Sequence, residues 1–200
     1  MERTLTTRGS GEASGTPDAM RINVAVVVRG HAVSDALAGT ASGVAAVGEL
    51  ARSFTTDERI TSTGLHVWPA YENDGRQAGY ECRHTLSLYC GDLDKAGELV
   101  SALGDLQGRV LIEGVQPTLS EPAPLAVQAR ERAWADARAK AEELAALAGA
   151  TLGEVVSVVE GGGGAIPYAR DVAMAAKAET HFEAGSQAVG AVLTVTWALA

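Results

Sequence analysis

The stretch from Pro124 to Leu147 limits what this chain can build more than any other. Ala126, Ala129, Ala133, Ala137, Ala141, Leu144 and Ala148 recur every three or four residues, while Arg130, Glu131, Asp136, Arg138, Lys140, Glu142 and Glu143 occupy other faces. That is helical spacing, and Gly149 supplies a C-terminal stop. Asp136–Lys140 and Arg138–Glu142 are i,i+4 pairs, each worth about 0.2–0.5 kcal/mol. A helix whose apolar stripe is mostly alanine must lie close to whatever covers it. The composition agrees: aromatic residues are 4% and glycines number 23, so the core is built from small, closely approaching surfaces.

The other segments read from the same two periods. A first strand is expected around Arg3–Thr7, followed by a turn region over Gly9–Gly15. Ile22, Val24, Val26 and Val28 alternate as a second strand, and Val27 interrupts its polar face, so both faces are expected to be partly covered. From Ala32 to Phe54 the spacing of Val33, Leu37, Val44, Val47 and Leu50 is helical, with Ser34 and Asp35 near its start as caps. Gly39, Gly43 and Gly48 each cost about 1 kcal/mol relative to Ala there, a cost explained if the helix lies against a sheet. Ile60–Tyr71 and Gln77–Cys90 read as strands joined through Asp74-Gly75, a strong hairpin signal. Asp92 caps a short helix through Leu103, Val110–Leu119 is a further strand, and Leu152–Glu160 and Val189–Leu199 are the last two. A looser Gly-rich segment at about 161–185 includes a short helix around Arg170–Lys177. Strands and helices mixed without a strict βαβ repeat predict an α+β fold with a largely antiparallel sheet.

Charge and motif content exclude more than they assign. Sixteen basic against 25 acidic residues give a net charge of −9, the wrong sign for a phosphate-neutralising protein, so nucleic acid is not an expected partner. The first residues lack the apolar core of a secretory signal, and no later run spans a bilayer, so the chain as given reads as cytoplasmic, or exported if a leader has been removed. Cys82 and Cys90 share one parity of a strand, eight residues apart, or roughly 26 Å at 3.3 Å per residue. That is too far for a mutual disulfide, and they read as small buried hydrophobes. His31, His66, His84 and His181 have no ligand spacing, although His66 and His84 could be hairpin neighbours with Cys82 close by. Gly161–Gly164 leads to Ala165-Ile166-Pro167 rather than the Gly-Lys-Ser/Thr of a phosphate loop. Ser10, Ser14 and Ser120 have no evident base. Asp92 with Asp94 reads as a cap, and Glu142 with Glu143 as a solvated helix face. No catalytic, metal or cofactor-binding residue is assigned, and no cofactor is expected. With so few rings, Trp68, Tyr71, Trp134 and Trp197 are the informative positions. Trp68, Pro69 and Tyr71 are the candidate interface, weighed against core packing.

The order of motifs resembles the SIMPL-domain family, also called YggE-like proteins. The residues that carry it are Arg8-Gly9-Ser10-Gly11-Glu12, Pro17-Asp18-Ala19, Ile60-Thr61-Ser62-Thr63, Val67-Trp68-Pro69-Ala70-Tyr71 and Gly79-Tyr80. Ile112-Glu113-Gly114-Val115-Gln116-Pro117-Thr118-Leu119-Ser120, Ala135 to Glu142, Leu152-Gly153-Glu154-Val155 and the Val/Thr-rich final strand follow in order. The resemblance implies a single SIMPL-like domain over residues 1–200, long helices on an antiparallel sheet, and no established catalytic residue. It also implies proteins that are often exported in bacteria, that in some cases form ring-like homo-oligomers, and that are linked to stress tolerance and the envelope. The expected function is therefore a non-enzymatic, self-assembling homo-oligomer scaffold with an unidentified protein partner. The alternative is a small-molecule binder with a pocket between sheet and helices.

Overall fold

The computed structural model describes residues 3–106, 110–161, 168–169 and 185–200. In chain order the elements are β1 (Thr4–Gly15), β2 (Ala19–Gly30), α1 (Val33–Ala51), a short 3-10 turn (Asp57–Arg59), β3 (Ile60–Tyr71), β4 (Gln77–Cys90), α2 (Leu93–Asp105), β5 (Val110–Thr118), α3 (Ala123–Leu147), β6 (Leu152–Glu160), β7 (Tyr168–Ala169) and β8 (Gln187–Leu199). The fold is α+β with antiparallel pairing throughout. The strands divide between two sheets, and contacts group the described residues into two compact units: 17–120 form one, and those within 1–16, 121–175 and 185–200 form the other.

In the unit spanning 17–120, the sheet order is β3-β4-β2-β5. Period-2 alternation sends Ile22, Val24 and Val26 of β2 and Leu86, Leu88 and Cys90 of β4 into one core with Val47 and Ala51 of α1 and Ala96, Leu99 and Leu103 of α2. A Cβ at Gly39 or Gly43 would fall 2.7 or 2.6 Å from a methyl of Val28 or Val26. These two glycines therefore let α1 lie on β2, as their spacing suggested. Gly48 differs, because its nearest neighbour is the Arg52 guanidinium at 3.9 Å. Asp35 accepts from the Ala32 N–H at 3.1 Å at the start of α1. Asp92 accepts from the N–H groups of Asp94 and Lys95 at 3.0 and 3.1 Å, satisfying two orphan donors of α2. The β3–β4 turn closes through Gly75 N–H to Glu72 O, with Gly75 at φ +83°, a conformation glycine adopts without strain.

In the other unit, β8 lies between β1 and β6, and β7 also pairs with β8. Here the expected Gly9–Gly15 turn is corrected, because these residues continue β1 and pair in unbroken register with β8 through Gly15↔Gln187. Gly9 and Gly11 are needed for close approach. A Cβ on Gly9 would lie 2.0 Å from Ala133 O, and one on Gly11 2.3 Å from Ala129 O. The α3 stripe that meets them is Ala129, Ala133, Ala137, Ala141 and Ala145, a strict i+4 row, whereas Leu144 is 44% exposed. The contact follows the inclined i±4 ridge of the helix, so the row leaves the expected stripe at its C-terminal end. Trp134 packs on Trp197 with ring centroids 5.5 Å apart. Most of the expected 161–185 segment, including the Arg170–Lys177 helix, lies outside the described residues.

Candidate interaction surface

Each sheet ends in strands whose outer edge has no strand partner among the described residues: β3 and β5 in one, β1 and β6 in the other. An unpaired edge presents N–H and C=O groups that another chain could take up. The side chains along these four edges decide which are open.

The β1 edge is closed by α3. Arg132 donates to Glu12 O, Asp136 accepts from Ser10 N–H at 2.9 Å, and Lys140 donates to Arg8 O at 3.2 Å. Three side chains at i, i+4 and i+8 of the helix thus bond alternate residues of the strand. Their spacing follows from 1.5 Å per helical residue, about 6 Å per rung, against about 6.6 Å for two strand residues. Lys140 also bridges to Asp136 at 2.7 Å. That ammonium, followed by the Ser10 N–H, holds the Asp136 carboxyl below its ordinary range. Charge and motif reading had placed Asp136 and Lys140 only in a helix-surface pair, because their reach to β1 has no local sequence signal.

Strand β3 carries the predicted candidates. Trp68 and Tyr71 are 39% and 61% exposed, and Pro69 is exposed beside them, so the core-packing reading of these residues is set aside. They do not form one patch. Trp68 stands opposite Glu81 and Pro69 opposite Tyr80 on successive rungs, so the two point to opposite faces. Leu65 and Val67, 51% and 38% exposed, were not singled out in the sequence, because alternating apolar residues read as core. On β6, Val155, Val156, Val158 and Val159 are 42–59% exposed. Among the described residues, the apolar cluster under α3 draws on β1 and β8 and takes only Leu152 from β6, so that cluster does not cover these valines.

The chemical candidates behave differently. His84 stands opposite Leu65 and His66 opposite Arg83, so the two histidines occupy opposite faces and the suggested neighbours are not brought together. His84 Nε2 lies 2.8 Å from Ser62 Oγ. Cys82 and Cys90 are both buried and unbridged. Among the described residues, no three His, Cys, Asp or Glu side chains are grouped to hold a metal. Ser120 does have a carboxylate neighbour: Asp18 accepts from its N–H at 2.7 Å and its hydroxyl at 2.5 Å, while Asp18 N–H donates to Thr118 O at 3.2 Å. The Ser120 hydroxyl, then its N–H, push the Asp18 carboxyl below its ordinary range. The pair ties the residue before β2 to the segment that follows β5.

One cleft of about 320 Å³ lies beside β1 and α3, lined by Thr6, Thr7, Arg8, Lys140, Glu143 and Leu144. Thr7 donates to Ala137 O at 2.9 Å and accepts from Trp197 Nε1 at 3.1 Å, and Lys140 is engaged as above. Among the described residues, no helix is long and apolar enough to cross a membrane, which says nothing of a β-barrel.

Similar proteins bear on the same stretch of chain. The chain is 26% identical over 164 residues to the 26 kDa periplasmic immunogenic protein of Brucella melitensis, and equally to that of Brucella abortus. The match covers 76% of this chain but 64% of each relative, so the chain spans less than two thirds of the curated relatives it matches. A solved structure described as an amidohydrolase/peptidase from Burkholderia cenocepacia overlaps 55% of this chain and 30% of its own at 19% identity, with a TM-score of 0.31. So low a score carries no argument about fold or chemistry. The family model SIMPL, described as a protein of unknown function (DUF541), matches residues 5–197. With nearly its whole length accounted for in this way, the chain belongs to the SIMPL family.

Proposed function

We propose that this protein works by association rather than by chemistry, as a self-assembling, non-enzymatic scaffold subunit. The observation that carries this reading is the apolar exposure concentrated on two edge strands, Leu65, Val67, Trp68 and Tyr71 on β3 and four valines on β6. Burying such surface is worth about 25 cal/mol per Å², and an exposed apolar edge strand is a template for pairing with another chain. A dimer closes with one self-complementary contact, whereas a ring needs a second surface, and two distinct edges supply both. Light scattering with native mass spectrometry tests this: masses at multiples of 20.5 kDa are expected, and a strict monomer at high concentration overturns the reading.

A second reading, small-molecule binding, rests on the cleft beside Thr7 and Lys140. Its volume sits at the lower end for ligand pockets, and two of its polar side chains are already satisfied within the fold, which favours the association reading. Saturable thermal stabilisation by a small anionic ligand, lost in Arg8→Ala, would favour the alternative.

For location, we infer the exported alternative over the cytoplasmic one, since the matched Brucella proteins are named as periplasmic. Fractionation of the native host tests this. The role in stress tolerance rests on the family resemblance and is tested by growth of a deletion strain under oxidative stress.

A further inference from the structure

We propose that the assembly forms through β6, by antiparallel pairing of Ser157–Gly161 with the same segment of a second copy. This rests on the association reading above and assigns it a surface. The argument is a census of the four edges. On β1, Arg132, Asp136 and Lys140 already occupy the outward backbone groups of Glu12, Ser10 and Arg8. Strand β3 contains Pro69 and β5 contains Pro117. Proline has no N–H to give, and in an edge strand its nitrogen faces the unpaired side, so each of these edges is broken within its paired length. Prolines, covering side chains and charges are the devices that keep an edge from pairing. Strand β6, Leu-Gly-Glu-Val-Val-Ser-Val-Val-Glu, has no proline and no lysine; among the described residues, α3 reaches it through Arg130, which donates to the Glu160 carboxylate at 2.7 Å and not to the strand's outer backbone. Its register shifts lie between Leu152 and Ser157, leaving Ser157–Glu160 regular against β8.

The backbone direction selects the register. Gly161 N–H donates inward to Val192 O at 2.9 Å, so by alternation Val158 and Glu160 direct their N–H and C=O groups outward. In an antiparallel pair, outward residues must face outward residues. The register centred on Val159 meets this. It sets Val159 against Val159 of the second copy, Val158 against its Glu160, and Ser157 against its Gly161.

This register makes a second copy the occupant. The segment is self-complementary, since no glutamate meets a glutamate although every charge in β6 is negative. It also brings together exposed valines of the two copies, Val158 and Val159 being 48% and 59% exposed. A two-fold pairing of this kind is isologous and closes without leaving the same edge free.

The test measures native mass and cross-linking on the full chain. Val158→Pro removes one outward N–H and leaves the bonds to β8 intact, so loss of the β6-dependent assembled species is expected, with an unchanged circular dichroism spectrum. Val158→Lys serves the same purpose if the proline variant does not fold. Val159→Cys should form a disulfide-linked dimer on mild oxidation, because facing residues of a non-hydrogen-bonded pair lie about 4.5 Å apart. If wild type assembles and both Val158 variants retain its mass, the β6 assignment is overturned while the association reading stands. If wild type is a monomer at every concentration, both fall.

Discussion

Among the described glycines, Gly9 is where an added Cβ would meet its neighbour most closely, and alanine there probes that approach. The added Cβ would lie 2.0 Å from Ala133 O, 2.5 Å from Ala137 N and 2.7 Å from Ala137 Cβ. Two of these are helix backbone atoms, so no side chain can swing away. Restoring an ordinary 3.4 Å contact from 2.0 Å requires α3 and β1 to separate by about 1.4 Å. Overpacking of this kind costs about 1–3 kcal/mol. The separation also strains the buried bond from Thr7 Oγ1 to Ala137 O, 2.9 Å long, whose net worth is about 1 kcal/mol. A destabilisation of about 3 kcal/mol is therefore expected, a large share of a typical 5–15 kcal/mol. Urea unfolding followed by tryptophan fluorescence measures it. In a Trp68→Phe background the signal comes from Trp134 and Trp197, both in the affected unit. Gly190→Ala is the internal control, because its Cβ would meet nothing closer than Gly11 O at 3.9 Å. It should be neutral or stabilising by up to about 1 kcal/mol. A Gly9→Ala unfolding free energy within about 0.5 kcal/mol of wild type would refute the reasoning.

Three further perturbations follow from the same contacts. The lowered carboxyl of Asp18 means the folded state binds fewer protons than the unfolded one, so its contribution is present above the ordinary value near 3.8 and is lost as pH falls through the lowered one. Asp18→Asn should flatten the fall in melting temperature between about pH 5 and pH 2, and an unchanged acid slope would count against the Ser120 tie. Asp136→Ala removes the middle rung of the α3 ladder, so hydrogen exchange at the Ser10 amide should accelerate, and exchange at the wild-type rate would show that the rung does not protect the edge. Thr7→Val leaves Trp197 Nε1 without its buried acceptor, which should cost about 1–3 kcal/mol in urea unfolding, and a neutral result would remove that bond from the account.

Much of the local structure was legible in the chain. Asp74-Gly75 placed the hairpin because the turn needs one residue at φ > 0, which Gly75 supplies, and β3 and β4 span the residues expected of them. Asp92 caps α2 because its short carboxylate reaches N–H groups two and three residues on. The interaction surface was only half legible. Trp68 and Tyr71 stood out as scarce rings, but the exposure of Leu65, Val67 and the β6 valines did not, since an apolar alternating strand looks the same whether or not a helix reaches over it.

By itself the sequence determined the periods: where the backbone coils at 3.6 residues per turn, where it alternates every two, and where glycine, proline or a capping carboxylate interrupts either. Tertiary structure decided the partners. It turned Gly9–Gly15 from a turn into a strand, paired Thr4 with Ala198, lined α3 side chains along the edge of β1, and joined Asp18 to Ser120. Periodicity is a property of neighbouring residues, set by chain geometry. Pairing across a hundred residues or more depends on which surfaces approach closely enough, and here that distance was set by alanine on one side and glycine on the other.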